Sequence, residues 1–309
     1  MRIVITGGAG FIGSNLAELC RRGGHDVAVI DDLSTGQRDS VPDDVRFVEG
    51  SILDVDALES TVEGAEAVVH LAAVASVPES IDDPIRTNEV NVRGTLNVLQ
   101  AAKRLGVRHV SVASSSAVYG ANKDLPQSET SWIAPLSPYA VSKAATEQYA
   151  FVFAECYGLP TTAFRFFNVY GPGQSPDHIY AAVIPAFVDR AIRGEPLVIN
   201  GDGLQTRDFI YVETVCSVLL NAALGGRSIA RPINLALGAR TTLVELIAEI
   251  GGQLGRELSV QHGPPRAAEI RDSLASDTLL RSEFDITPVS LREGLAKTIT
   301  WHQTRLGMR

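Results

Sequence analysis

Residues 6–13 read TGGAGFIG, which spaces Gly7, Gly10 and Gly13 as GxxGxxG. The residues before them, 2–6 (RIVIT), are a short β-branched run. A helical pattern follows from about Phe11 to Arg22, and Gly23 and Gly24 stop it. A glycine loop between a strand and a helix lets the backbone approach a pyrophosphate, whose charge then sits at the positive end of the helix dipole. A second strand at 26–31 (DVAVID) ends on Asp31, 18 residues after Gly13. A carboxylate there suits the ribose hydroxyls of a dinucleotide and repels a 2′-phosphate, which favours NAD over NADP. A glycine turn that merely closes a strand–helix corner has no use for the distal acid.

Further strands are expected at 66–73 (EAVVHLAA), 107–112 (VRHVSV) and 161–167 (TTAFRFF), with helices over roughly 84–105 and 139–157. This alternation predicts βαβ units, hence an α/β fold with a Rossmann-like, doubly wound parallel sheet. Composition changes near Gly171, where 171–177 (GPGQSPD) is rich in turn residues. A helix near 180–193, a strand at 197–200 and a helix near 214–224 are expected beyond it. Residues 232–236 (PINLA) suit a return to the first sheet. With 309 residues the chain is long for one core, whose ceiling is roughly 250–300 residues. The expected division is 1–170 as an NAD-binding domain, rejoined by a segment near 206–237. Residues 171–205 and 238–309 would form a smaller mixed α/β substrate lobe.

The 27 basic and 36 acidic residues leave a net charge of −9, which argues against a nucleic-acid surface or an anionic-membrane binder. An anionic ligand then needs a locally basic pocket. No uncharged apolar run reaches the ~18–20 residues of a membrane span. Met1-Arg2 leads into a strand-like run without a signal-peptide pattern, so a cytoplasmic location is expected. Cys20, Cys156 and Cys216 are far apart and show no CxxC, which fits reduced thiols. The six histidines show no metal-ligand spacing, and no metal site is expected.

Residues 139–143 read YAVSK, so Tyr139 and Lys143 share one face of a helix. An ammonium near a phenol favours the phenolate and lowers a pKa of ~10. Such a tyrosine can take the proton of a sugar hydroxyl as hydride leaves the same carbon. The same spacing also occurs in exposed helix pairs of no chemical consequence. Two features favour chemistry. Ser114, Ser115 and Ser116 close a predicted parallel strand, at the edge where such sheets bind ligands. Lysine is also scarce, at Lys103, Lys123, Lys143 and Lys297.

These segments resemble the extended short-chain dehydrogenase/reductase superfamily, and within it the nucleotide-sugar (UDP-glucose / UDP-N-acetylglucosamine) 4-epimerases. The shared motifs are TGGAGFIG (6–13), DDLSTG (31–36), HLAA (70–73), NVRGT (91–95), SSSAVYG (114–120), SPYAVSK (137–143), RFFNVYGPG (165–173) and GDGLQTRDFIYV (201–212). The resemblance implies Ser115 as the catalytic hydroxyl, Tyr139 as the acid/base, and Lys143 as the group that holds the cofactor ribose and tunes the tyrosine. It places NAD against Gly7, Gly10, Phe11, Ile12 and Gly13. Further cofactor contacts are implied at Asp31, Asp32, Leu33, Ser34, Thr35 and Gly36, and at Ser51, Ile52, Leu71, Ala72, Ala73, Asn91, Ala113, Ser114 and Phe167. Ser51, after a third strand, stands where the family usually has an acid.

For the substrate, the resemblance implies Ser76, Ser115, Ser116 and Tyr139 near the sugar. Asn168, Arg207 and Arg266 would hold the diphosphate, and Glu269 the ribose. Ala182, Val183, Val198, Ile199 and Asn200 would wall the uracil. Arginine forks suit a diphosphate and would supply the basic pocket this acidic chain needs. Ala268 replaces a usual glycine beside Arg266. Ser273 is small where bulk would crowd an N-acetyl group. The interval Ser116-Ala117-Val118 lacks the carboxylate of related dehydratases and decarboxylases, which leaves 4-epimerisation as the expected chemistry. UDP-glucuronate 4-epimerases, nucleotide-sugar 4,6-dehydratases, decarboxylases and reductases, and a non-enzymatic NAD-sensing regulator are the competing readings. By the same resemblance, helices near 85–105 and 139–157 would pair with a second subunit in a homodimer.

Overall fold

Along β1 (Arg2–Thr6) the last four residues are buried, so the strand has no polar face and must lie inside a covered sheet. Ile3 and Ile5 point into one apolar layer and Val4 into the other. The computed structural model describes residues 1–176, 182–264 and 271–308. α1 (Phe11–Arg22) ends at Gly23 and hands over to β2 (Asp26–Asp31), β3 (Arg46–Glu49), α2 (Val55–Val62) and β4 (Ala67–His70). Next come α3 (Val77–Asp82), α4 (Pro84–Asn88), a π-helical turn at Glu89–Arg93, and α5 (Gly94–Arg104). β5 (His109–Ser115), α6 (Pro138–Tyr157), β6 (Thr161–Phe166) and β7 (Asn168–Tyr170) complete this half.

The second half opens with α7 (Val183–Arg193), β8 (Leu197–Asn200), β9 (Thr206–Arg207), β10 (Phe209–Tyr211) and α8 (Val212–Gly225). It closes with β11 (Ile233–Leu235), β12 (Thr241–Thr242), α9 (Leu243–Leu254), β13 (Val260–Gly263), α10 (Thr278–Glu283) and α11 (Leu291–Arg305). Among the described residues the main sheet has seven strands in the order β11-β6-β5-β4-β1-β2-β3. Every pairing in it is parallel, so its carboxyl edge carries the loops after β1, β2, β4 and β5. This is the Rossmann-like α/β architecture expected from the sequence. β11 rejoins the sheet beside β6, with Ile233 opposite Phe164. Three two-stranded pairs, β7 with β10, β8 with β13 and β9 with β12, extend the fold beyond the main sheet.

The helix expected over 84–105 runs unbroken from Pro84 to Arg104, with a π-helical turn at Glu89–Arg93 inside it. Pro84 occupies the first turn of α4, where a missing N–H costs nothing, and Asp83 caps it by accepting from Arg86 N at 2.9 Å. Pro78 and the cap Ser76 start α3 in the same way. The π-helical turn carries Asn91, whose amide brackets the backbone of Val74 (2.8 and 3.0 Å). β3 lies at the sheet edge with Arg46 and Glu49 exposed, too short and too polar for its pattern to stand out.

Candidate active site

The nucleotide loop is shaped by what its glycines exclude. Gly7 has φ +69°, and a Cβ there would sit 2.6 Å from the amide nitrogen of Ala72. A Cβ on Gly13 would collide with the Gly7 carbonyl. α1 begins at Gly10 with no side-chain cap and no acidic residue in its first turn. Its N-terminal N–H groups and the positive end of its dipole therefore face the loop unopposed, as a pyrophosphate requires. Asp31 closes β2 and is buried, and its carboxylate accepts from Ala9 N and Leu33 N, both at 2.9 Å. Burial pushes this carboxyl above its usual range, while those two N–H groups pull it back. Leu33 takes φ +56°, and Ser34 N donates to Asp32 Oδ1 at 3.0 Å, so the loop 31–36 turns sharply. Gly36 packs on Ala9, and Gln37 N donates to Ala9 O at 3.1 Å. Phe11, Ile12, Thr35 and Leu71–Ala73 flank this cradle, with Leu71 N and Ala72 N tied to Thr6. These features fit a dinucleotide.

Not every expected cofactor contact is free to make one. Asn91 is buried, and its amide is spent on Val74 and on Ser142 Oγ at 2.9 Å. Ser114 is buried and donates its hydroxyl to Glu147 Oε1 at 2.5 Å. Ile52 lies in the core beneath Gly94. The side chains of these three residues are engaged within the protein. Phe167 is also buried and packs with Tyr119, ring centroids 6.3 Å apart. Ser51 Oγ accepts from Leu53 N at 3.2 Å.

Ser115 ends β5, and the next three residues, Ser116-Ala117-Val118, enter a 3-10 turn capped by Ser115 Oγ. α6 is started by Ser137 Oγ, which accepts from Ala140 N at 3.1 Å, with Pro138 in its first turn. That start places Tyr139 and Lys143 on the side of α6 facing β5. The Ser115 hydroxyl stands near enough to the Tyr139 phenol to favour its ionised form. Lys143 Nζ lies 5.8 Å from the centre of the Tyr139 ring and donates to Ala113 O at 2.9 Å. The phenol departs from expectation. Burial pushes it above its ordinary value and the Ser115 hydroxyl opposes the rise, so the neighbouring ammonium does not bring it below ~10 in the protein alone. Burial also lowers Lys143, to about 8.

Sequence reasoning missed His70. Its Nδ1 meets Thr6 Oγ1 at 2.7 Å and its Nε2 meets Thr95 Oγ1 at 3.0 Å, bridging the nucleotide loop to α5. Burial, with Lys143 nearby, holds it neutral with a pKa of about 3. Also missed were Glu147 and Arg165, a buried ion pair behind Ser114. Asp208 escaped notice too. Its buried carboxylate accepts from Leu237 N, Gly238 N and Ala275 N at 3.0–3.2 Å. Only the helical spacing of Glu147 behind Lys143 hinted at any of these.

Among the expected substrate residues, Asn168 lies on β7, Val198, Ile199 and Asn200 on β8, and Arg207 on β9. Asn168 Nδ2 donates to Asp208 O at 3.0 Å. Arg207 donates from one guanidinium nitrogen to Thr206 O and Arg271 O, at 2.9 and 3.1 Å. Ser273 N donates to Thr206 O at 3.2 Å, which sets Ser273 beside β9. Along β8, Val198 is exposed, while Ile199 is 2% exposed and belongs to the core. Ala182 caps α7 and Val183 opens it. Ser76 serves as the α3 cap. Arg266, Ala268 and Glu269 lie outside the described residues. Among the described residues no group of His, Cys, Asp and Glu is placed to hold a metal ion.

A parallel sheet with a glycine loop, a distal acid and a serine–tyrosine–lysine cluster on its carboxyl edge defines a nucleotide-dependent redox site of the short-chain dehydrogenase type. The profile of the NAD dependent epimerase/dehydratase family matches residues 3–237, and the chain belongs to that family. NAD is its cofactor. The chain is 36% identical to the UDP-glucose 4-epimerase of Mycolicibacterium smegmatis, over 99% of each. Among solved structures it superposes with TM-score 0.92 on the UDP-N-acetylglucosamine 4-epimerase of Methanobrevibacter ruminantium bound to UDP-N-acetylmuramic acid, at 36% identity over 98% of each chain. It superposes with TM-score 0.87 on the Thermus thermophilus UDP-glucose 4-epimerase complex with NAD, at 35% identity, over 98% of this chain and 99% of that one.

Proposed function

We propose that this chain is an NAD-dependent UDP-hexose 4-epimerase, interconverting UDP-GlcNAc with UDP-GalNAc and UDP-Glc with UDP-Gal through a transient 4-keto sugar. The observation that carries this is the gathering of Ser115, Tyr139 and Lys143 at the end of β5, on the sheet edge that holds the dinucleotide loop. Bound NAD supplies the two-electron acceptor and donor at sugar C4. Tyr139 Oη takes the proton of the 4-hydroxyl and returns it to the 4-keto oxygen after the sugar has turned over. Ser115 Oγ orients that oxygen. Lys143, anchored on Ala113 O, keeps a positive charge beside the phenol as the phenolate forms.

Asn168 and Arg207 are assigned to the diphosphate, with Arg266 and Glu269 completing the grip. Val198 and Asn200 are assigned to the base, with Ala182 and Val183. Ser273 leaves room at the sugar 2-position, which supports the N-acetylhexosamines. The turn Ser116-Ala117-Val118 offers no carboxylate to expel a hydroxyl, so a dehydratase lacks its second acid/base group.

The partner we assign is a second copy of the chain. Ile81 and Ile85 on α3 and α4, and Val141 and Val152 on α6, are exposed on helices packed side by side. No helix among the described residues is long and apolar enough to cross a membrane. The test is incubation with a panel of UDP-sugars and chromatographic resolution of the stereoisomers. A C4-inverted product is expected from at least one UDP-hexose. No inversion of any of them, with NAD shown to be bound, would overturn the proposal.

A further inference from the structure

Three consecutive residues at the end of β5 meet three residues on one face of α6. Ser115 stands by the Tyr139 phenol, Ala113 O accepts from Lys143 Nζ, and Ser114 Oγ donates to Glu147 Oε1. Tyr139, Lys143 and Glu147 follow one another at intervals of four residues and so share that face. The first two pairs are the acid–base apparatus. The third lies behind them, away from the reacting oxygen. The Glu147 side chain is fully buried and that of Arg165 is 5% exposed. Arg165 Nε and Nη2 grip the two carboxylate oxygens at 2.8 and 2.9 Å. β6 sets Arg165 directly opposite Ser114 in the sheet. The guanidinium also lies over the Tyr119 ring, 4.7 Å from its centre, and Tyr119 OH donates to Asn234 Oδ1 on β11 at 2.7 Å.

A buried ion pair is a poor source of stability, because desolvation offsets most of the attraction and apolar side chains fill such a space at less cost. It is a good source of fixed geometry, since a carboxylate held by two prongs cannot slide along its partner. We propose that Glu147 and Arg165 are positioning residues of the active site. Glu147, fixed by Arg165, holds Ser114 and so sets the Ser115 hydroxyl against the Tyr139 phenol. The charged and titratable groups of this cluster are Lys143 beside the Tyr139 ring, His70 near Lys143, and Glu147, Arg165 and Tyr119 behind Ser114. The inference rests on the reading of Tyr139 as the proton carrier.

Three variants test it: Glu147→Ala; Glu147→Gln with Arg165→Met, which keeps an acceptor for Ser114 and leaves no buried charge; and Ser114→Ala, which spares the ion pair. Each is assayed for UDP-sugar turnover. In each, the Tyr139 phenol is also titrated by tyrosinate absorbance, as the difference from the same protein carrying Tyr139→Phe. Glu147→Ala is expected to lower kcat about tenfold or more with KM within about twofold. Ser114→Ala, which leaves both charges in place, should lower kcat more weakly and move the phenol titration to higher pH, and the double variant should recover turnover. A phenol that titrates as in wild type after Ser114→Ala overturns the proposal, whatever happens to turnover. So does a double variant as impaired as Glu147→Ala. If wild type inverts no UDP-sugar the epimerase reading fails instead, and the titration still decides whether Glu147 positions Ser115.

Discussion

Lys143 Nζ gives its hydrogen bond to the carbonyl of Ala113, 2.9 Å away, while standing 5.8 Å from the centre of the Tyr139 ring. The lysine is thus moored to the strand that carries Ser115. The side chain that opposes the burial-driven rise of the Tyr139 phenol is Ser115.

Ser115→Ala removes the contact that opposes the burial-driven rise of the Tyr139 phenol. The phenol should titrate at higher pH, and kcat should fall by about 10²–10⁴, the usual worth of positioned acid–base groups. The loss should be larger at neutral than at alkaline pH. Tyr139→Phe should lower kcat similarly with little change in UDP-sugar binding, measured by calorimetry. Near-wild-type turnover in either variant would remove that residue from its role.

Lys143 sits at a cost. Its pKa is about 8 in the folded chain against ~10.4 for an exposed lysine. Between those values the unfolded chain holds a proton that the folded chain lacks, so this group's contribution to stability rises with pH across that window. Below the window the burial penalty is fully present, on the order of 3 kcal/mol. Losing the bond to Ala113 O costs about 1 kcal/mol. Lys143→Met should therefore stabilise the NAD-free protein at pH 7 by roughly 1–2 kcal/mol while abolishing turnover. A lower unfolding midpoint in urea would contradict this.

Two buried histidines set the acid limit. His70 has a pKa of about 3 and His109 of about 4, both lowered first by burial. Each is depressed below the ~6.5 of the unfolded chain, so the unfolded state binds the extra protons. Their contribution to stability is fully present above that value and is lost as pH falls towards the folded pKa. Stability should drop by roughly 3 kcal/mol per histidine between pH 6.5 and 4. His109→Gln should flatten that slope, and an unchanged slope in urea titrations would discount the histidine.

Ser273 is held beside Thr206 by its own amide, so a larger side chain has little freedom to swing aside. Ser273→Tyr should reduce kcat/KM for UDP-N-acetylhexosamines about tenfold more than for plain UDP-hexoses. Equal losses would discredit the steric argument.

Much of the fold was legible because its signals are local. The glycine loop, the buried strands and the carboxyl-edge serines each lie within a few residues. The helix over 84–105 was legible in its bounds, whereas the π-helical turn at Glu89–Arg93 within it leaves no mark in apolar spacing. β3 was illegible because an edge strand with Arg46 and Glu49 exposed has no apolar signature. At the site, Tyr139 and Lys143 could be paired from spacing. The partners of Glu147, His70 and Asp208 lie across the sheet, and helical or strand periodicity carries no record of them. The Tyr119–Asn234 bond spans 115 residues of chain. The phenol was misjudged for a related reason: its neighbour Lys143 can be read from spacing, whereas its burial is a property of the assembled fold.

The central claim is that one carbon of a UDP-hexose is oxidised and reduced again within the same site. The most direct measurement is the fate of deuterium placed at sugar C4 of UDP-GlcNAc and UDP-glucose, followed by mass spectrometry and NMR of the separated stereoisomers. The expected result is an inverted product that keeps the label at C4, with none released to solvent. An inverted product that has exchanged its label with water, or no inverted product from any UDP-hexose, would contradict it.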